Sequence, residues 1–289
     1  MAGNTADPGR SVVSRVLAIL DAFDVEHPRL SLSDIARRAG LSLPTTHRLV
    51  GEIAAWRGLE RDDDGMYRVG LRLWEVGLLG PLHTRLREVA MPFLQGLYET
   101  TRENVHLAVR DGFDALYVEK LSGHRSVPII SRIGRRLPMH ATGVGKALLA
   151  WSDDDLVDEA LRRPLERPTS YTITEPGRLR QELASTRQAG YAVTREEMTL
   201  GSCSVAVPIF GEPSLDEAGV VEAAVGIVVH TVNVEPVRHV PPLRLAAEGI
   251  AARLAATRDD PHPGYEHDFA TTRRGPLRRS SAQGNGRPT

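Results

Sequence analysis

Short hydroxyl side chains followed by a histidine and an arginine (Ser42, Thr45, Thr46, His47 and Arg48) open one helical pattern in this 289-residue chain. On the first turns of a helix such groups suit the DNA major groove, where a guanidinium can bridge guanine O6 and N7 or clamp a phosphate. Arg37 and Arg38 before this run, and Arg61 and Arg68 after it, are candidate phosphate contacts. A module that docks another protein would show the same pattern, so both readings stay open on these residues alone.

A second run, RRLPMHATGVGKALLAW over 135–151, puts Thr142 and Gly143 where a helix begins. Free N–H groups at such a start converge on one spot and favour an anion such as a carboxylate. The run is not a phosphate loop, because Gly145-Lys146 would need a glycine at position 140, which is His140, and Ala147 follows the lysine. An ordinary capped helix has the same sequence features.

The third run is TREEMTLGSCSVAVPIF over 194–210. Its Cys203 would be a nucleophile if His140 or His230 served as base. No oxyanion arrangement or third orienting group accompanies it, and a lone free cysteine suits a packing role. Glu196 and Glu197 are adjacent, so on a strand they would face opposite ways, which fits a charged rim better than a shared proton. No histidine pair has ligand spacing on a helix, and His262 to His267 falls in a polar tail. The sequence predicts no enzyme, no metal and no cofactor.

Composition narrows the partners. Apolar residues make up 41% and charged residues 25%, ordinary for a soluble protein of about two domains. The net charge of −1 excludes both a bulk basic field and an acidic disordered chain, so any DNA contact must be local. One cysteine excludes an intrachain disulfide framework. The start, MAGNTADPGR, lacks the apolar stretch of a secretory leader. Apolar runs such as Ala223 to Val229 fall far short of the ~18 residues that span a bilayer. These features predict a cytoplasmic protein with no membrane partner.

The elements that must position the three runs follow from periodicity. Val12, Val16, Ile19, Leu20 and Phe23 recur at helical spacing after Ser11, and His27-Pro28 ends that helix. SLSDIARRAG predicts a second helix, with Ile35, Ala36 and Ala39 inward and Ser31 and Asp34 in a capping-box arrangement. A third runs from Ser42 to about Trp56, with Pro44 in its first turn. Its inward set is Thr46, Leu49, Val50 and Ile53, so Thr46 stands both there and among the candidate DNA contacts. Its open face is Ser42, Thr45, His47 and Arg48, with Glu52 at the margin. Leu59 to Arg61 and Met66 to Val69 flank an Asp-Asp-Asp-Gly turn, a hairpin that completes a winged helix-turn-helix.

Residues 70–99 read as helical with a joint at Pro81. Strands are predicted at 105–110, 115–121, 127–133, 191–194, 204–210 and 220–230, and helices at 143–151, 153–161, 177–189 and 241–257. Such interleaving predicts an α+β domain of the small-molecule sensor kind. Residues 1–10 read as loose. After Thr257 the apolar pattern stops, and 271–289 hold arginines without an acid, which predicts a disordered basic tail.

SVVSRVLAILDAF, SLSDIARRAGLSLPTTHRLVGEI and GLERDDDGMYRVG, followed by LPMHATGVGKALLA, AGYAVTREEMTLGS and VAVPIF, closely resemble bacterial transcriptional regulators of the IclR type. The resemblance spans roughly 11–257. It implies a winged helix-turn-helix over 11–70, a linker helix over 71–86 and a GAF-like effector-binding domain over 87–257, with 258–289 as tail. It implies a ligand-responsive regulator of a catabolic or metabolic operon, repressor rather than activator. Such proteins act as homodimers or dimers of dimers on near-palindromic operators and answer to small metabolites, often carboxylic acids.

By the same resemblance the effector pocket uses Ala141, Thr142, Gly143 and Val144, and the strand before Pro208-Ile209. Relatives often carry a cysteine four residues before that proline; here the position is Ser204, and Cys203 is displaced by one onto the opposite face. Gly226 and Val228 stand where some relatives have serines, and Thr194 where an aspartate is sometimes found. These departures predict a less polar pocket and a bulkier or more apolar acid, an aromatic one included.

Overall fold

The computed structural model describes residues 10–123, 130–211, 221–231 and 235–257. The expected loose start up to residue 9, the first part of the expected 127–133 strand and the expected tail from 258 lie outside them. The chain divides into two compact units after Met91.

In the N-terminal unit, Ser11 caps α1 (Val12–Leu20) by accepting the Ser14 amide at 3.0 Å. The helix stops at Leu20, short of His27-Pro28. Asp24 Oδ1 then takes the amides of Glu26 and His27 at 2.9 and 2.7 Å, and this local bonding competes with further helix. Ser31 caps α2 (Leu32–Ala39), accepting from Asp34 N and donating to Asp34 Oδ2 at 2.6 Å, which is the expected capping box with aspartate in place of glutamate. Gly40, left-handed at φ +65°, ends α2 and turns the chain into α3 (Leu43–Ala55).

The buried residues of α3 are Thr46, Leu49, Val50 and Ile53, as its periodicity predicts. Leu49, Val50 and Ile53 pack with Ile19, Ile35 and Leu59 into one core. The wing pairs β2 (Leu59–Arg61) with β3 (Tyr67–Val69), Glu60 opposite Arg68. A two-residue strand β1 (Arg29–Leu30) adds to β3, and it is too short to show any alternation in sequence. α4 (Leu71–Gly77) follows, and Pro81 opens α5 (Pro81–Thr101), the joint expected there.

The C-terminal unit is built on a six-stranded antiparallel sheet in the order β6-β5-β4-β9-β8-β7. Its strands are β4 (Asn104–Asp111), β5 (Asp114–Leu121), β6 (Arg136–Pro138), β7 (Ala192–Arg195), β8 (Ser202–Phe210) and β9 (Val221–His230). α6 (Gly143–Ala150), α7 (Asp154–Arg162) and α8 (Pro176–Ala189) share a core with Ala108, Ala206 and Ala224 of the sheet. α9 (Val240–Ala256) packs against β8. The expected strand over 127–133 is not formed in its described part, 130–133. Gly134, at φ +81°, sits in a turn there, and the edge strand is instead β6, whose three residues are too few for a pattern.

Register places one row of side chains on a single sheet face. Thr194 of β7 is opposite Ser204 of β8, which is opposite Val228 of β9. One step along, Ala206 is opposite Gly226, and Gly226 is opposite His106 of β4. α6 lies on this row: a Cβ on Gly226 would come within 2.9 Å of Val144 Cγ1, and one on Gly143 within 2.5 Å of Ser204 Oγ.

Candidate functional site

Two surfaces carry the recognition chemistry, one in each unit. On α3, Ser42, His47 and Arg48 are exposed and Thr45 is half-buried, with Ser42 Oγ donating to Thr45 Oγ1 at 2.9 Å. Thr46 corrects the expected contact set. It is fully buried, and its hydroxyl donates back to the Ser42 carbonyl at 3.0 Å, so it serves the core and cannot meet a base. Arg48 is exposed and pairs with Glu52 one turn on at 2.7 Å, an exposed pair that costs little to exchange for another anion.

The other arginines differ in freedom. Arg37 is well exposed and pairs with Asp34 at 2.8 Å. Arg38 donates to the Ala22 carbonyl at 2.6 Å and pairs with Asp24, which ties α2 to the turn after α1 and commits its guanidinium within the unit. Arg61 reaches the Gly65 carbonyl at 3.2 Å and lies over the Tyr67 ring, while Arg68 pairs with Glu60 at 3.0 Å across the hairpin. Arg29 was not anticipated. It grips Asp62 at 2.5 Å and also Asp64, drawing two of the three wing-tip carboxylates together and holding Asp62 below the usual carboxylate range. That role depends on β1 joining β3, and no local motif announces it.

In the C-terminal unit a narrow cavity of about 40 Å³ opens between the first turn of α6 and the sheet. Thr142, Gly143, Val144, Thr194, Ser204, Gly226 and Val228 all line it. Of the expected pocket set only Ala141 does not. It is fully buried in the single turn over 139–141 that precedes α6, and its side chain packs there instead.

Thr142 caps α6: its Oγ1 accepts the Gly145 amide at 3.2 Å. The amides of Gly143 and Val144, in the first turn, have no intrahelical acceptor and carry the positive end of the helix dipole. Beside them, Thr194 and Ser204 share a hydroxyl–hydroxyl hydrogen bond of 2.5 Å.

Several lining residues escaped the sequence reading. His106 Nε2 lies 3.0 Å from Ser131 Oγ, and its ring meets Tyr117 edge-on with centroids 5.1 Å apart. Burial, with the Lys120 charge adding to it, drives the His106 pKa down to about 3, so the ring is neutral at physiological pH. Burial also pushes the Tyr117 phenol above its ordinary value, against a hydrogen bond with Thr142 that pulls it down. Met198, Thr199 and Ser202 complete one wall. These residues come from separate strands and loops. Met198, Thr199 and Ser202 lie in the 194–210 run, but nothing in that run marks them as lining residues.

Among the described residues none that lines the cavity carries a charge at neutral pH, and Lys146 points away into a buried ion pair with Glu197. An anion here would therefore be met by amide dipoles and hydroxyls. Gly226 also reads differently in three dimensions: the missing side chain is what lets Val144 approach the sheet, beyond any effect on pocket polarity. Cys203 is buried outside the cavity lining, opposite Val229, and burial raises its thiol pKa, the reverse of an activated nucleophile. Among the described residues no cluster of histidine, cysteine or acidic side chains could hold a metal, and no helix is long and apolar enough to cross a membrane.

A winged helix-turn-helix followed by an α+β unit with a small-molecule cavity defines a ligand-binding transcriptional regulator. The model of the bacterial transcriptional regulator IclR C-terminal region matches residues 82–252, and that of the IclR helix-turn-helix domain matches 12–63. The chain belongs to the IclR family, whose members are non-enzymatic DNA-binding regulators. It is 35% identical over 209 residues to the HTH-type transcriptional regulator XynR of Escherichia coli K12, covering 70% of this chain and 81% of that protein. It is 32% identical over 225 residues to the E. coli transcriptional repressor AllR, covering 77% and 81%. Among solved structures, an IclR homolog from Microbacterium hydrocarbonoxydans complexed with 4-hydroxybenzoate is similar at a TM-score of 0.80 and 38% identity, covering 85% of this chain and 100% of that one. The Thermotoga maritima IclR is similar at a TM-score of 0.68 and 29% identity, covering 84% and 98%.

Proposed function

We propose that this protein is a cytoplasmic repressor of a catabolic or metabolic operon, released by a small monocarboxylic acid with an apolar, aromatic body. Residues 11–70 bind a near-palindromic operator, 71–86 link, and 87–257 bind the effector and join copies into a homodimer or dimer of dimers. Ser42, Thr45, His47 and Arg48 read the major groove, while Arg37, Arg61 and Arg68 meet phosphates. Two copies on one two-fold operator double these contacts, which offsets the near-zero net charge.

The cavity at the start of α6, whose described lining is uncharged, carries the effector reading. A single carboxylate suits the Gly143 and Val144 amides with the Thr142 and Ser204 hydroxyls, and Leu137, Met198 and Val228 offer an apolar surface for the body of the acid. A relative of 38% identity crystallised with 4-hydroxybenzoate is in keeping with that chemistry.

Titration calorimetry with 4-hydroxybenzoate and other benzoates tests this reading. Ser204→Ala and Thr142→Ala are expected to weaken binding about tenfold each, the loss of one hydrogen bond to a charged group. Operator affinity without acid should be unchanged. Binding as tight in both variants as in the parent would remove these residues from the effector site.

A further inference from the structure

Lys146 is fully buried, and its charge is matched by carboxylates on two other elements. Its Nζ lies 2.6 Å from Glu197 Oε1 and 3.7 Å from Glu182 Oε1 of α8. Burying such a pair is expensive, and apolar residues of similar size would often serve stability as well or better. What the pair does provide is geometry. Lys146 sits one turn after Thr142 on α6, and Glu197 immediately precedes Met198 and Thr199, so its two ends belong to two walls of the cavity.

The segment after β7 is held from other sides too. Thr172 Oγ1 donates to the Glu197 carbonyl at 2.7 Å, and Thr169 Oγ1 to the Glu196 carbonyl at 2.6 Å. Glu196 adopts a left-handed φ of +55°, and its Oε1 accepts the Gly201 amide at 2.7 Å, closing the 196–201 turn on itself. Glu197 Oε2 is buried without a hydrogen-bond partner among the described residues, and the carboxylate is held by Lys146 at 2.6 Å together with the Ile173 backbone.

We infer that Lys146 and Glu197 are a positioning pair that fixes the Met198–Thr199 wall at a set distance from the first turn of α6, and thereby sets effector affinity. The inference rests on the effector reading for its functional half, while its structural half stands without a ligand. Neither residue touches the effector. Both act through the walls they hold.

The test compares the full-length parent with Glu197→Gln and the double variant Lys146→Met/Glu197→Gln. Lys146→Met alone would strand a buried carboxylate and unfold the unit for an unrelated reason, whereas the other two keep the shape of the pair. The melting temperature is expected to stay close to the parent's in the double variant and to fall in Glu197→Gln, which leaves the buried Lys146 ammonium with Glu182 alone at 3.7 Å. The amides of Glu196 and Gly201, which donate to the Ser202 carbonyl and Glu196 Oε1, are expected to exchange hydrogen faster in both variants, with Ile227 on β9 unchanged. The dissociation constant for 4-hydroxybenzoate is expected to rise about tenfold, a coupling typical of residues in one network. Unaltered exchange at Glu196 and Gly201 would overturn the inference, as would an unaltered dissociation constant in a parent that binds the acid. If the parent binds no benzoate, the effector reading fails, and the exchange rates still decide whether the pair holds the wall.

Discussion

His106 shows how a single residue joins fold to function. Its ring is buried in the cavity wall and titrates near pH 3, whereas in the unfolded chain it titrates near 6.5. Below about pH 6.5 the unfolded state therefore binds a proton that the folded state refuses, so stability is full above that value and falls as pH drops toward 3. The loss by pH 5 is about 2 kcal/mol from this group. His140 and His239, also pushed down by burial, act in the same direction, while the raised carboxyl of Glu197 acts in the opposite one. Calorimetry of His106→Gln between pH 7 and pH 5 should therefore give a flatter decline in Tm than the parent's; parallel declines would mean the ring is not held neutral. Sequence made Thr142, Gly143 and Ser204 legible because one motif and one displaced cysteine mark them. It could not show His106, Tyr117 or Ser131, whose neighbourhood exists only once β4, β5 and the 130–135 turn come together.

At the scale of elements, α6 is positioned by two glycines with different tolerances. A Cβ at Gly145 would lie 2.4 Å from Met139 Cα and 2.5 Å from the Met139 carbonyl oxygen, backbone that cannot swing aside. A Cβ at Gly226 would meet Val144 Cγ1 at 2.9 Å, which a small shift of α6 can relieve, and Ala206 Cβ at 3.0 Å and the Val205 carbonyl oxygen at 3.2 Å, where β8 must give by a few tenths of an ångström. Helix propensity favours alanine over glycine by about 1 kcal/mol at position 145, but the backbone clash outweighs it. Gly145→Ala is thus expected to lower Tm more than Gly226→Ala, which should cost about 1–3 kcal/mol as ordinary overpacking. An alanine at 145 that stabilised the protein would show that α6 does not sit this close to the preceding turn. Elements with a full period were readable in sequence: α2 and α3 carry their caps and inward faces plainly. β1 and β6, of two and three residues, were not, because neither is long enough to alternate.

At the scale of the whole molecule, two units with separate cores carry separate recognition surfaces, and regulation requires that occupancy of one alter the affinity of the other. A coupling of about 1–3 kcal/mol gives a switch of roughly 5–150-fold, enough for transcriptional control. The most direct measurement is to mix the purified protein with sheared DNA from its host at near-physiological salt, with and without 4-hydroxybenzoate, and sequence what stays bound. A few discrete sites of two-fold symmetry are expected, with occupancy that falls when the acid is added. Uniform background binding, unchanged by this acid or by other benzoates, would mean that the protein is not an acid-released repressor of a specific operator.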